Sequence, residues 1–203
     1  MNERPRSGPV PEPPENALLG EPPLALYVHL PWCVRKCPYC DFNSHELRGE
    51  LPADEYIAAL LRDLEFELPL VWGRVVGSVF LGGGTPSLFR ADQVDRLLSG
   101  IRGRVLLAPD AEITLEANPG TVDQERFRGF REAGVNRLSI GAQSLAAEQL
   151  RRLGRIHGPD DAIAAVATLR SDRLGSLQSQ PLLEDLAYSQ ALYRVGYVRG
   201  VGE

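Results

Sequence analysis

The sequence predicts a parallel α/β fold assembled from successive strand–helix units, and two observations predict it. Four short, apolar, strand-like runs alternate with stretches of helical periodicity, the order that builds a parallel sheet through crossover helices. The chain's unusual residue clusters each follow the C-terminal end of one of those runs, where the loops of a parallel sheet gather ligand-binding groups.

Length and composition bound the answer. The chain has 203 residues, 43% hydrophobic and 24% charged, the make-up of a soluble globular protein with room for one domain of ordinary size. A net charge of −5 with no basic stretch to offset it argues against a nucleic-acid partner. No run of about 18 apolar residues is present, so no membrane span is expected. The N-terminus lacks the apolar core of a secretory signal. With its odd number of cysteines, three, the chain is expected in a reducing compartment, the cytoplasm.

Residues 1–23 carry Pro5, Pro9, Pro11, Pro13, Pro14, Pro22 and Pro23 with few apolar side chains between them, and are expected to form a disordered or extended tail. The core is expected over 24–170. Leu24 to Leu30 is a nearly continuous apolar run closed by Pro31, which reads as a buried strand. Pro52, as a first helical residue, opens a helix to about Leu68, with Ile57, Leu60, Leu61, Leu64 and Leu68 on one face. The unit then repeats. Val75 to Leu81 is a second strand, broken by Gly82-Gly83-Gly84-Thr85-Pro86, and Ala91 to Leu98 a second helix. Glu112 to Ala117 is a third strand. Thr121 and Gln124 read as a capping box for a helix that ends at Gly134. Val135 to Ile140 is a fourth strand, and helices are expected over 146–153 and 159–170. Pro159, Asp160 and Asp161 suit the start of the last one.

One rim therefore collects four clusters. The first holds all the cysteines of the chain, Cys33, Cys37 and Cys40, in a C-x3-C-x2-C loop. Three thiols in eight residues turn their sulfurs toward a common point, usually a metal centre. An iron–sulfur cluster with one iron open to an exogenous ligand, a zinc ion completed by His29 or His45, and unliganded thiols are the three readings. The glycine run lets backbone approach a ligand, or is a flexible turn. Glu116 at the third strand's end suits an ammonium or a ribose hydroxyl, or is a solvated carboxylate. Gln143 and Arg155 read equally as pocket residues or as surface groups. His157 reads as a packing or surface histidine, Trp32 as a shield for the cysteine loop, and Trp72 as a structural residue at a helix end.

The stretch Tyr27 to Ser44, YVHLPWCVRKCPYCDFNS, resembles the cluster motif of radical S-adenosylmethionine proteins. More narrowly, it is similar to the HemW heme chaperones, relatives of oxygen-independent coproporphyrinogen III oxidase. The segments Gly82 to Leu88 (GGGTPSL), Glu116 to Gly120 (EANPG), Asn136 to Ser144 (NRLSIGAQS) and Arg152 to Gly158 (RLGRIHG) carry the resemblance over roughly residues 24–170. Ala142 and Leu145 depart from it, where the family more often has valine and phenylalanine. The resemblance implies a partial (β/α) barrel of the TIM type, about four strand–helix units long. It implies that Cys33, Cys37 and Cys40 ligate a 4Fe–4S cluster whose fourth iron chelates S-adenosylmethionine. Tyr27 and the backbone at Tyr39 would contact that cofactor. Gly83, Gly84 and Thr85 would bind its methionyl end, and Glu116, Gln143 and Arg155 would complete the pocket. In catalytic relatives the reduced cluster cleaves the sulfonium to a deoxyadenosyl radical. In the chaperone branch the fold is thought to hold heme and pass it to a target protein. The loop's wording, Trp32 before the first cysteine and Asp41-Phe42-Asn43-Ser44 after the last, points to the chaperone side.

From Ser171 the resemblance stops. The family's next strand and its Gly-Leu-Pro turn do not follow, and 171–203 reads as a divergent tail. The expectation is a truncated or frame-shifted barrel, with an unpaired strand edge, marginal stability and a tendency to associate.

Overall fold

A computed structural model describes residues 22–171 of the chain. The proline-rich stretch up to residue 21 and the divergent tail after Ser171 lie outside the described residues.

Four parallel strands form one sheet: β1 (Leu24–Leu30), β4 (Val75–Gly83), β5 (Leu106–Ala117) and β6 (Arg137–Ile140). Between the first two lie the short strands β2 (Trp32–Cys33) and β3 (His45–Glu46), which pair only with each other. The sheet order β1-β4-β5-β6 sets each strand beside the next one in the chain, as in the opening arc of a (β/α) barrel. The helices are α1 (Ala53–Glu67), α2 (Ala91–Arg102), α3 (Gln124–Glu132), α4 (Ala147–Arg152) and α5 (Pro159–Ser171). Among the described residues the outer edges of β1 and β6 have no strand partner.

The strands divide their residues by face, as a pleat of period two requires. Val28, Leu81, Leu115 and Leu138 are neighbours in one row across the sheet, and they belong to the apolar core. That core is closed by Ile57 and Leu64 of α1, Val94, Leu97, Leu98 and Ile101 of α2, and Phe127 and Phe130 of α3. The row beside it runs Tyr27, Phe80, Thr114 and Arg137, a mixed aromatic and polar set on the opposite face. The run Leu24 to Leu30 thus alternates: 24, 26, 28 and 30 contribute to the core, whereas Tyr27 and His29 point away. The Tyr56 hydroxyl of α1 donates to the His29 carbonyl at 2.9 Å, and burial pushes its phenol up to about 12.

Several sequence expectations shift. Helix α1 begins at Ala53, so Pro52 is its cap residue and not its first helical one. Strand β4 runs on through Gly82 and Gly83, so only Gly84 breaks it. Strand β5 starts at Leu106, earlier than the Glu112 of the sequence reading, and a register shift opposite Val76–Ser78 absorbs the extra length. The fourth strand is shorter and starts at Arg137. The cap of α3 is Asp123, whose carboxylate accepts the Arg126 N–H at 2.8 Å. Thr121 is instead turned inward, its hydroxyl donating to the Asn118 carbonyl at 2.9 Å, so the Thr121–Gln124 capping box does not form. Trp72 is 81% exposed and packs no helix end. Trp32 does bridge loop and core: its ring meets Tyr56 edge-on at 4.6 Å and tilts against Phe89.

Candidate functional site

The cysteine loop is a closed excursion from the C-terminal end of β1. Its two ends are tied by the β2–β3 pair, with His45 N–H donating to the Pro31 carbonyl and Leu47 N–H to that of Cys33, both at 2.8 Å. Within it, Cys40 N–H reaches back to the Cys37 carbonyl at 3.0 Å in a tight turn. The Lys36 ammonium holds the carbonyls of Phe42 and Ser44 at 3.2 and 3.0 Å. His29 donates through Nε2 to the Asn43 carbonyl at 2.6 Å, which leaves Nδ1 to accept the Tyr27 hydroxyl at 3.0 Å. All three thiols are free, Cys33 buried and Cys37 and Cys40 half-buried. Among the described residues no three His, Cys, Asp or Glu side chains are grouped to hold a single metal ion. His29, one of the two imidazoles considered for zinc, has both ring nitrogens engaged in the fold; His45 lies in exposed β3. Thiolates that each take a separate iron of a cluster need not meet at one point.

The glycine run passes directly behind this loop. A Cβ on Gly84 would lie 2.6 Å from the carbonyl oxygens of Pro31 and Trp32, and one on Gly83 would lie 2.8 Å from the His29 ring. Gly83 also has a φ of +121°, a conformation open chiefly to glycine. The run is therefore required by the chain's own close packing as well as by any ligand. Its backbone donors are occupied: Gly84 N–H bonds the Leu30 carbonyl at 2.9 Å and Thr85 N–H that of Trp32 at 2.7 Å. Gly83 N–H donates to the Glu116 carboxylate at 3.2 Å. What this stretch offers a ligand is acceptors.

Glu116 stands at the end of β5 facing that run. Burial pushes its carboxyl above the usual carboxylate range, and the Gly83 N–H pulls the other way. Arg155 approaches from the segment before α5. Its Nη2 donates to the Gly141 carbonyl at 2.6 Å, and Nη1 stands 3.6 Å from the Cys37 sulfur. Its Nε is buried with no hydrogen-bond partner, which is costly for a charged donor unless something else completes it. Burial, with Cys37 next, raises the Tyr39 phenol, while Arg155 beside it opposes the shift. Gln143 is exposed and has a φ of 68°, alone among the described non-glycine residues in being positive. Thr85 is buried.

The structure brings together Cys37, Tyr39 and Arg155 and, apart from them, Gly83 and Glu116. Tyr27 reaches the cysteine loop through His29, Gly84 and Thr85 lie against its base, and Gln143 follows the Gly141 carbonyl that Arg155 holds. Sequence reasoning did not find the ties that hold them. His29 had one signal, its position two residues after Tyr27 on the same strand face. A second set of ties runs through Ser87, Asn118, Thr121 and His157. The Ser87 hydroxyl accepts the Asn118 N–H at 3.1 Å and meets the Thr121 hydroxyl at 2.7 Å. His157 is 4% exposed, so of the two sequence readings, packing or surface, the packing one holds; burial lowers its pKa.

The residues fit an amino-acid ligand beside an iron–sulfur cluster. A desolvated carboxylate at Glu116 suits an ammonium, and a guanidinium with a buried unpaired Nε suits a carboxylate. Three thiols on one loop, one of them 3.6 Å from that guanidinium, suit thiolate ligation of iron.

Comparison with known proteins gives the family and the fold. A family model described as the Radical SAM superfamily matches residues 27–176. Over 165 residues the chain is 54% identical to the heme chaperone HemW of Escherichia coli, covering 79% of this chain and 44% of that protein. It is 45% identical over 158 residues to the mitochondrial radical S-adenosyl methionine domain-containing protein 1 of Bos taurus, covering 76% of this chain and 35% of that one. A solved structure, that of coproporphyrinogen III oxidase (HemN) from Escherichia coli, described as a radical SAM enzyme, superposes with a TM-score of 0.68. It is 33% identical and covers 74% of this chain and 35% of that one. The chain spans less than half the length of these relatives. No described helix is long and apolar enough to cross a membrane.

Proposed function

The chain belongs to the radical SAM superfamily, and from that premise we propose that its rim holds a 4Fe–4S cluster and S-adenosylmethionine in a HemW-like role, the binding and transfer of heme. Cys33, Cys37 and Cys40 would ligate the cluster. Glu116 and the acceptors of Gly83 and Gly84 would take the ammonium of the methionyl group, and Arg155 its carboxylate. Tyr27, Tyr39, Thr85 and Gln143 would complete the pocket. The single observation that carries this reading is the approach of a guanidinium whose Nε has no partner to within 3.6 Å of a free thiol, Arg155 to Cys37. When bound, the cluster and its ligand supply one-electron chemistry at a sulfonium centre.

The chain's own residues do the rest. Lys36 and His29 fix the carbonyls of Phe42, Ser44 and Asn43 on the far side of the cysteine loop. Gly84 lets the β4 end pass against the loop, and Gly83 N–H ties the Glu116 carboxylate to that end. Trp32 and Phe89 shield the base of the loop from water. Free thiols that must ionise and stay reduced suit the cytoplasm.

The heme part of the reading is supported by the identity to proteins named heme chaperones. A second reading, an oxidase acting on coproporphyrinogen III, is supported by the likeness to the HemN structure. Anaerobic reconstitution with iron and sulfide tests both. The proposal expects about four irons per chain and retention of added heme, with no methionine or deoxyadenosine released. Release of those two products from a reduced, loaded sample would favour the oxidase reading. No iron uptake would overturn both.

A further inference from the structure

Two consecutive carbonyls after β6 are each held by a side chain from the segment that leads into α5. Arg155 Nη2 donates to Gly141 O at 2.6 Å, and His157 Nε2 lies 3.0 Å from Ala142 O. A carbonyl can only accept, so Nε2 carries the proton. The same Ala142 oxygen also accepts the Ser144 N–H at 2.9 Å. That bond spans one residue, Gln143, and with its φ of 68° it closes a γ-turn of the rare, strained hand. Gln143 is not a glycine, so this conformation persists only because its surroundings hold it. The other ring nitrogen, Nδ1, lies 3.1 Å from Asn118 Oδ1, which accepts Gly120 N–H at 3.0 Å; with the proton on Nε2 both of these atoms are acceptors, so the approach is a packing contact and not a hydrogen bond. Asn118 follows Glu116 by two residues.

We infer that His157 is a positioning residue, which holds Gln143 in its strained turn by donating to the carbonyl that closes it. The buried ring packs between the loop after β6, which carries Gln143, and Asn118 of the loop after β5. Its donor fixes the backbone that aims the Gln143 side chain. Its effect on cofactor binding rests on the reading of the site given above, whereas its effect on the turn does not.

The experiment therefore has two arms, with His157→Ala, His157→Gln and the wild-type full chain. In the cofactor-free protein, amide exchange by NMR reads the Ser144 N–H that closes the turn. Losing a buried donor to the shared carbonyl should speed its exchange about tenfold, with the amides of α2 and β5 unchanged. His157→Gln, whose amide nitrogen can still donate to Ala142, should restore much of the protection and remains informative if His157→Ala does not fold. In reconstituted protein, His157→Ala should take up iron normally but bind S-adenosylmethionine about tenfold more weakly, again rescued by His157→Gln. Unchanged Ser144 exchange in His157→Ala, or full loss of its protection in His157→Gln despite the retained donor, would overturn the inference. So would a loss of protection spread evenly over the chain without rescue, which marks a merely structural role. Wild-type protein that carries its cluster but binds no S-adenosylmethionine would overturn the functional reading alone, since the exchange arm would still decide the role of His157.

Discussion

The two faces of the four-stranded sheet are built by the same strands and do opposite work. On one face Val28, Leu81, Leu115 and Leu138 form a row sealed by α1, α2 and α3. On the other, Tyr27, His29 and Glu116 stand at or near the strand ends beside the cysteine loop. The first face is complete in itself, and apolar burial there is what stabilises the fold. The second contains a desolvated carboxylate and a buried guanidinium nitrogen without a partner, features that cost stability and are retained where a ligand completes them. The pleat separates the residues that stabilise the fold from those proposed to bind the cofactor.

That contrast can be broken by substitution in the cofactor-free protein, taking the stability changes from large to small. Phe130→Ala on α3 removes a ring that is 0% exposed, and chemical denaturation should show a loss of about 3–5 kcal/mol. Gly84→Ala should cost about 1–3 kcal/mol, because its Cβ would meet two backbone carbonyls at 2.6 Å that belong to the loop. Cys37→Ala with Cys40→Ala should change stability by less than about 0.5 kcal/mol yet abolish iron uptake, the clearest separation of the two faces. A loss of several kcal/mol from the cysteine pair would erase the distinction drawn here.

The smallest effect has the opposite sign and depends on pH. Burial raises the Glu116 pKa in the folded state above its ordinary value, so the native protein binds that proton more tightly than the unfolded chain. Its contribution is full below the unfolded value near 4.5 and is lost as pH rises through the raised native one. Glu116→Gln stays neutral and can still accept the Gly83 N–H. The variant should therefore melt slightly higher than wild type at pH 8, with the gap closing toward pH 4.5, while binding S-adenosylmethionine more weakly. A gap that does not depend on pH would show that burial does not raise the Glu116 pKa in the folded protein.

Much of this was legible in the sequence because its signals are local. The C-x3-C-x2-C spacing, the glycine run and the apolar strand runs each declare themselves within ten residues or so, and strand–helix alternation places them on one rim. What was not legible depends on partners distant in the chain. The run Leu24 to Leu30 reads as uniformly apolar until β4 lies beside it and Tyr27 and His29 turn to the other face. Thr121 resembles a helix cap until its hydroxyl and Ser87 meet across 34 residues, which leaves Asp123 to cap α3. The positive φ of Gln143 has no signature at all, because nothing in a glutamine predicts it; the ties that hold it come from His157. The glycine run was legible as a place of close approach, but not that the approach is to the cysteine loop itself.

The most direct test of the central claim is electron paramagnetic resonance of the anaerobically reconstituted, dithionite-reduced chain, with and without S-adenosylmethionine. The account predicts a reduced-cluster signal that changes shape when S-adenosylmethionine is added, because the ligand binds the iron that Cys33, Cys37 and Cys40 leave open. Arg155→Ala should weaken that response without removing the cluster. A fully loaded cluster whose signal is the same with and without S-adenosylmethionine would contradict it.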